Sequence, residues 1–196
     1  MSRRFRHVAV IALAGWAMVV GAAHAETLSL PQGLSVELPE GWSVEGPADG
    51  VESKTGMRRV QLVCGTQACK QTQETCTILM RQKPIEGAGD AEKLKALYAS
   101  PFDRYLRIRA VLRATSRDAE LRKPLEIARF GDQDWYRIET DARHNFKSGL
   151  FAETVLNGLY VGAICKSCET GTIRHRDGEA IIASLRSQTA RTAGLR

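Results

Sequence analysis

The sequence predicts an α+β protein: an antiparallel β-sheet laid down as a meander of strands, with helices packed on it. Three observations lead there. Apolar and polar residues alternate over several short runs, the period of two that a half-buried strand imposes. Asn157-Gly158 stands between two apolar runs, and this dipeptide tolerates the positive φ values of a two-residue hairpin turn. Helical spacing, by contrast, is confined to three segments.

The first 25 residues are set apart. Arg3, Arg4 and Arg6 make a basic head, residues 8–23 an apolar stretch, and Ala23-His24-Ala25 offers the small residues a signal peptidase accepts. At about 16 residues the stretch falls short of the roughly 20 that a bilayer-spanning helix needs. This reads as a secretory signal peptide. The mature protein is therefore expected to be soluble, periplasmic or secreted, and not membrane-spanning after cleavage. No Cys follows the small residues to carry a lipid. The leader holds three Arg and no acid, so the 28 basic and 22 acidic residues of the whole chain become 25 and 22 in the mature one. Residues 26–186 are expected to form one domain and 187–196 a flexible tail, since no linker, repeat or low-complexity run divides them.

The strands follow in order. Leu28-Ser29-Leu30 and Leu34-Ser35-Val36-Glu37-Leu38 alternate, and Pro39-Glu40-Gly41-Trp42 turns the chain into Ser43-Val44-Glu45 as an opening hairpin. Residues 58–64 and 75–82 make two more strands across a ten-residue polar loop. If Cys64 faces Cys76, then Leu62 faces Ile78, Val60 faces Met80, and all six share one face of the sheet. Residues 125–130 and 135–141 flank the turn formers Gly131-Asp132-Gln133-Asp134. The Asn157-Gly158 hairpin sets Leu156 opposite Leu159 and Leu150 opposite Cys165. Trp42 and Trp135 each follow a turn and begin a strand, which makes them core candidates.

Residues 90–98 place Ala91, Leu94, Leu97 and Tyr98 on one side of a helix. Ser100-Pro101 opens a second helix, expected to reach about Leu106; residues 106–113 alternate well enough for a strand, and both conformations stay open there. Asp177-Gly178-Glu179 opens a closing helix with Ile181, Ile182 and Leu185 on its apolar side.

Four stretches, Leu38-Pro39-Glu40-Gly41-Trp42, residues 131–139 with Trp135-Tyr136 opening a strand, the Asn157-Gly158 hairpin, and Glu179-Ala180-Ile181-Ile182-Ala183-Ser184-Leu185-Arg186, carry a resemblance. In this order of elements the chain resembles the PsbP-like fold, including the bacterial DcrB-like envelope proteins of unknown function. The resemblance implies an antiparallel sheet with packed helices. It also implies an accessory, assembly or chaperone-like role in place of an enzymatic one, and it supplies no catalytic residues. Five cysteines and an arginine-rich middle depart from the usual pattern.

Cys64, Cys69 and Cys76 fall in one hairpin, and Cys165-Lys166-Ser167-Cys168 ends another. Residues directly opposite across antiparallel strands have Cα atoms roughly 4.5–5.5 Å apart, within reach of a disulfide. The facing register points to Cys64 with Cys76, proximity points to Cys165 with Cys168, and Cys69 is the expected free thiol. A thioredoxin-like pair needs its first Cys at a helix N-terminus, whereas this CxxC follows a strand. The Cys-x4-Cys-x6-Cys spacing is irregular for zinc. No metal and no cofactor are expected.

Catalytic patterns are missing: the mature chain has only His144 and His175, with no HExxH, no GxSxG elbow and no phosphate loop. Asp141 and His144 fall in a polar hairpin connection where solvated side chains are the ordinary reading. Residues 102–129 carry eight basic residues against four acids. Within them Arg104, Arg107, Arg109 and Arg113 form a candidate patch for an anionic partner, such as lipid headgroups, glycans or an acidic protein. A solvated face is the plainer alternative. Nucleic acid is not expected, because aromatic and basic residues do not interleave. The expected function is that of an exported non-enzymatic envelope protein with a binding or assembly role toward a protein or envelope component. A thiol-disulfide redox protein using Cys165 and Cys168, or an immunity or inhibitor-type protein, are the alternatives.

Overall fold

The structure, a computed structural model, describes residues 26–170 and 175–188. The leader at 1–25 and residues 189–196 of the expected tail lie outside the described residues. Strands β1 (Glu26–Leu30) and β2 (Leu34–Leu38) pair with Leu28 opposite Val36. A single 3-10 turn joins them, with Gln32 and Gly33 at positive φ. The short β11 (Arg186–Ser187) adds to the other edge of β2, completing a three-stranded sheet. Gln188 N donates to Gly33 O at 2.8 Å, so the first two residues assigned to the tail are tied to this sheet.

The expected opening hairpin between β2 and the strand after Trp42 does not form. Trp42 N still donates to Pro39 O at 3.1 Å, so the turn forms, but both edges of β2 are already occupied by β1 and β11. The next strand, β3 (Trp42–Glu45), therefore crosses to a second sheet and pairs with β5 (Arg58–Cys64). That larger sheet also takes in β6 (Thr75–Gln82), β7 (Glu120–Phe130), β8 (Gln133–Asp141), β9 (Ser148–Leu156) and β10 (Leu159–Ser167). Its order is β3-β5-β6-β10-β9-β8-β7, with the two-residue β4 (Val51–Glu52) also on β5. Every pairing is antiparallel.

Strand alternation separates two faces. Val60, Leu62, Ile78, Met80, Leu150, Val161 and Ala163 point one way and bury against the small sheet and the closing helix, α4 (Arg176–Ser184), through Val36, Ile181 and Ile182. Trp42 and Trp135 join this core, as their positions after turns predict, Trp135 being fully buried. The opposite face, with Tyr136, Ile138, Phe151, Glu153 and Tyr160, is covered by α2 (Asp90–Leu97) and α3 (Pro101–Thr115). The architecture is thus α+β, as the sequence predicts.

The Asn157-Gly158 hairpin has the expected register, with Leu156 opposite Leu159 and Leu150 opposite Cys165. Asn157 and Gly158 take φ of 50° and 75°. Asp90, the first residue of α2, accepts from Asn157 N at 2.6 Å and Gly158 N at 2.8 Å, clamping the turn to the helix. The β7–β8 turn is shorter than the four residues expected, because Phe130 already faces Gln133. Gly131 stands there at φ 58°, and a Cβ on it would come within 2.6 Å of Ala183 O in α4. The β5–β6 register is two residues off the expected one: Leu62 faces Cys76 and Val60 faces Ile78. An even shift keeps every side chain on its face, so the buried set is unchanged. The shift arises because the connection is not a plain loop; it contains α1 (Gln67–Thr72), capped by Thr66 Oγ1 accepting from Cys69 N at 3.2 Å. Ser100 caps α3 as expected, and that helix runs on to Thr115, so residues 106–113 are helical with Val111 and Thr115 buried.

Candidate functional site

The cysteine pairs differ from the expectation. Cys64 bonds Cys69, with Cα atoms 5.6 Å apart, and Cys76 bonds Cys165, with Cα atoms 4.0 Å apart; Cys168 is the free thiol. The two-residue register shift puts Leu62, not Cys64, opposite Cys76, and α1 folds Cys69 back onto Cys64. On its other edge β6 lies beside β10, where Cys76 and Cys165 are directly opposed. Cys165 is held within β10 by its buried bond to Cys76, whereas Cys168 lies past the end of the strand, which separates the CxxC thiols.

This end of the molecule is built for packing. The Cys76–Cys165 bond is fully buried, and α4 sits on it so closely that a Cβ on Gly178 would lie 3.0 Å from Cys165 Sγ. Next to it, Glu74 is buried with Oε1 unpaired; burial first, and Asp177 second, push its carboxyl up to about 7. Asp177 accepts from Trp42 Nε1 at 3.0 Å. The Cys168 thiol faces Gln73 Oε1 at 3.5 Å and Asn145 O at 3.6 Å. Lys166, the cation inside the CxxC, donates to Ala114 O at 2.7 Å and lies over the Phe146 ring.

His144 meets Asp118 at 3.0 Å on an open loop. The Ser116 hydroxyl and the Arg143 amide hold Asp118 well below the usual carboxylate range. These groups cap the turn after α3.

The second polar centre lies under α2 and α3. Glu153, only 3% exposed in the middle of β9, accepts from the Tyr98 and Tyr160 hydroxyls and from Arg107 Nη2. Burial and the neighbouring carboxylate keep both phenols protonated, far above the ordinary tyrosine value. Burial works against the Arg107 charge, but Glu153 and the phenolic oxygens outweigh it and raise its pKa. The cluster is therefore a fixed ion pair with two donor phenols, suited to holding α3 in place and not to moving protons near neutrality. Tyr98 also meets Tyr136 edge-to-face at 5.0 Å. A groove of about 470 Å³ runs beside the cluster, lined by Lys83, Pro84, Ile85, Leu97, Leu106 and Arg107.

The structure divides the four arginines of the candidate patch. Arg107 is withdrawn to Glu153, and Arg104 Nε donates to Tyr98 O at 2.6 Å, so these two fasten the helix. Arg109 and Arg113 stay on the exposed side, with Arg109 over the Tyr105 ring at 5.5 Å. Phe102, Tyr105 and Leu106 share that outward side at 65%, 53% and 46% exposure. The sequence reading did not pick out Glu153, although a lone carboxylate inside the run Leu150-Phe151-Ala152-Glu153-Thr154-Val155-Leu156 signals a buried charge that needs a partner.

Among the described residues no group of His, Cys, Asp and Glu is arranged to hold a metal, and no helix is long and apolar enough to cross a membrane. Taken as a class, the molecule is an antiparallel sheet with helices on both faces. Among solved structures it is similar to that of cyanobacterial PsbP (CyanoP) from Synechocystis sp. PCC 6803, with a TM-score of 0.54 and 19% identity over 89% of this chain and 98% of that one. The chain has a PsbP-like fold. A Bacteroides thetaiotaomicron protein is similar at 11% identity and a TM-score of 0.49, over 84% of this chain and 48% of its own. No family model matches the sequence, and neither does any curated protein.

Proposed function

We propose that this is an exported, non-enzymatic envelope protein that binds or assists another component through the α2–α3 side of its sheet. The observation that supports this most is the outward side of α3. Phe102, Tyr105 and Leu106 lie in the open there, next to guanidinium groups that take no part in fastening the helix. Exposed apolar side chains grouped on one element mark an interaction surface more often than singly scattered ones do. Two disulfides fit an oxidising compartment, in line with the leader. The test is capture from envelope extracts with the processed protein as bait. Replacing Phe102, Tyr105 and Leu106 together with Ser should abolish capture and leave the melting curve in place. Capture that survives this change would refute the assignment of the surface.

A further inference from the structure

We propose that the outward side of α3, with the turn that follows it, docks on a bilayer carrying anionic phospholipid, with Phe102, Tyr105 and Leu106 entering the headgroup boundary and Arg109, Arg113 and the exposed Arg117 of that turn pairing with lipid phosphates. The inference rests on the reading of α3 as the binding surface and names what it binds.

Helical periodicity supplies the geometry. Phe102, Tyr105 and Leu106 stand at i, i+3 and i+4, and Arg109 and Arg113 continue the same stripe over the next two turns. The opposite side of the helix is fixed to the sheet by buried Val111, by Arg107 on Glu153 and by Arg104 on Tyr98. The outer stripe is therefore presented on a held helix and is not a frayed segment. Phe102 and Tyr105 are exposed beside two hollows, one on the Leu106 and Arg107 flank and one of about 360 Å³ lined by Arg109, Arg113 and Arg117. A protein partner would have to supply a matching cavity, whereas a lipid interface accepts projecting apolar side chains without one.

Charge points the same way. Among the described residues no carboxylate lies within ion-pair distance of Arg109, Arg113 or Arg117. The nearest acids on the segment are Asp103 beside the groove, Asp118, which accepts from Ser116 and Arg143, and the exposed Glu120, which faces Asp141 in the β7–β8 register. Arg109 Nη1 donates to the Tyr105 hydroxyl at 3.2 Å, and guanidinium groups without a carboxylate beside them suit phosphate, which they can grip through two parallel hydrogen bonds. The Arg109 guanidinium over the Tyr105 ring sets a cation beside an amphipathic aromatic, an arrangement that fits the polar-apolar boundary. Edge strand β7 also exposes apolar side chains, Leu121 at 40% and Ile127 at 48%. Their register partners Thr140 and Tyr136 point to the α2–α3 side, so both lie on the same side of the sheet as α3.

Flotation of the protein recovered after export, its N-terminus fixed by intact mass, tests this. Vesicles of phosphatidylcholine alone are compared with vesicles containing phosphatidylglycerol. The protein should float with the anionic vesicles and stay behind with the neutral ones. Reversing Arg109, Arg113 and Arg117 to Glu should weaken binding at least roughly tenfold, as should raised salt. In a Phe102→Trp variant, anionic vesicles should shift the new tryptophan emission to the blue. A protein that ignores both vesicle types overturns the lipid proposal. If it then still captures an envelope protein through Phe102, Tyr105 and Leu106, the accessory reading stands with a proteinaceous partner; if it captures nothing, both fall.

Discussion

The two faces of the large sheet are built on different principles. On the α4 face the centre is a continuous apolar layer, from Val36 and Trp42 through Ile78 and Val161 to Ile181, tied by the buried Cys76–Cys165 bond. On the α2–α3 face the apolar contacts fall into two small clusters, around Tyr98 and around Val111. Between these clusters a buried carboxylate, a guanidinium and two phenols take over. Non-directional burial secures the first face, and many substitutions of similar volume would preserve it. The second depends on directed, charge-assisted bonds that set where one helix lies. Stability resides mainly in the first face, and the placement of the exposed surface in the second.

The largest effect should come from removing the long-range tie. Cys76 and Cys165 are 89 residues apart, and on the chain-entropy model a loop of that length is worth about 4–5 kcal/mol, against about 2 kcal/mol for the five-residue separation of Cys64 and Cys69. Replacing Cys76 and Cys165 with Ala should lower the melting temperature by much more than replacing Cys64 and Cys69. Equal losses would show that loop length does not govern the α4 face.

Next in size is Glu153→Gln. It should destabilise the protein by about 2–4 kcal/mol in chemical denaturation, because it strands the Arg107 charge. Adding Arg107→Met to Glu153→Gln should recover much of that loss, because the side-chain amide oxygen can still accept from a phenol. A single substitution without effect would erase the distinction between the faces.

The smallest effect concerns Glu74. Its carboxyl is raised from 4.5 to about 7 in the folded protein, by burial first and then by Asp177. The native state thus binds more protons than the unfolded chain between those values, and stability should fall as pH rises through that window and level off above it. Urea titrations should show a loss of roughly 2 kcal/mol across the window, and Glu74→Gln should flatten the curve. A flat wild-type profile would place Glu74 in water.

Local features were the readable part of this molecule. The Asn157-Gly158 turn, the Ser100-Pro101 helix start and the buried tryptophans follow from residues a few positions apart, as does the sharing of one face by Val60, Leu62, Ile78 and Met80. Which strand lies beside which does not. That β6 borders β10 depends on chain segments some 89 residues apart, and with that neighbour unknown the cysteine pairing could be argued only within each hairpin. Helix α1 was hidden because Gln67-Ala68-Cys69-Lys70-Gln71-Thr72 is too short and polar to show an apolar stripe. The arginines of α3 were visible as a group. Their division into fastening and exposed members depends on Glu153, which sits in another strand.

The disulfide map also bears on how the chain is made. A polypeptide threaded N-terminus first into an oxidising space presents Cys64 and Cys69 together, then Cys76, and Cys165 only much later. Joining cysteines strictly in their order of arrival yields Cys64–Cys69 and then Cys76–Cys165, the set seen here, and leaves Cys168 as the last to arrive. The late contest is between Cys165 and Cys168 for the waiting Cys76. Strand pairing decides it, since Cys165 is the one opposite Cys76. Oxidative maturation can therefore proceed without reshuffling, provided that Cys76 stays reduced until β10 arrives.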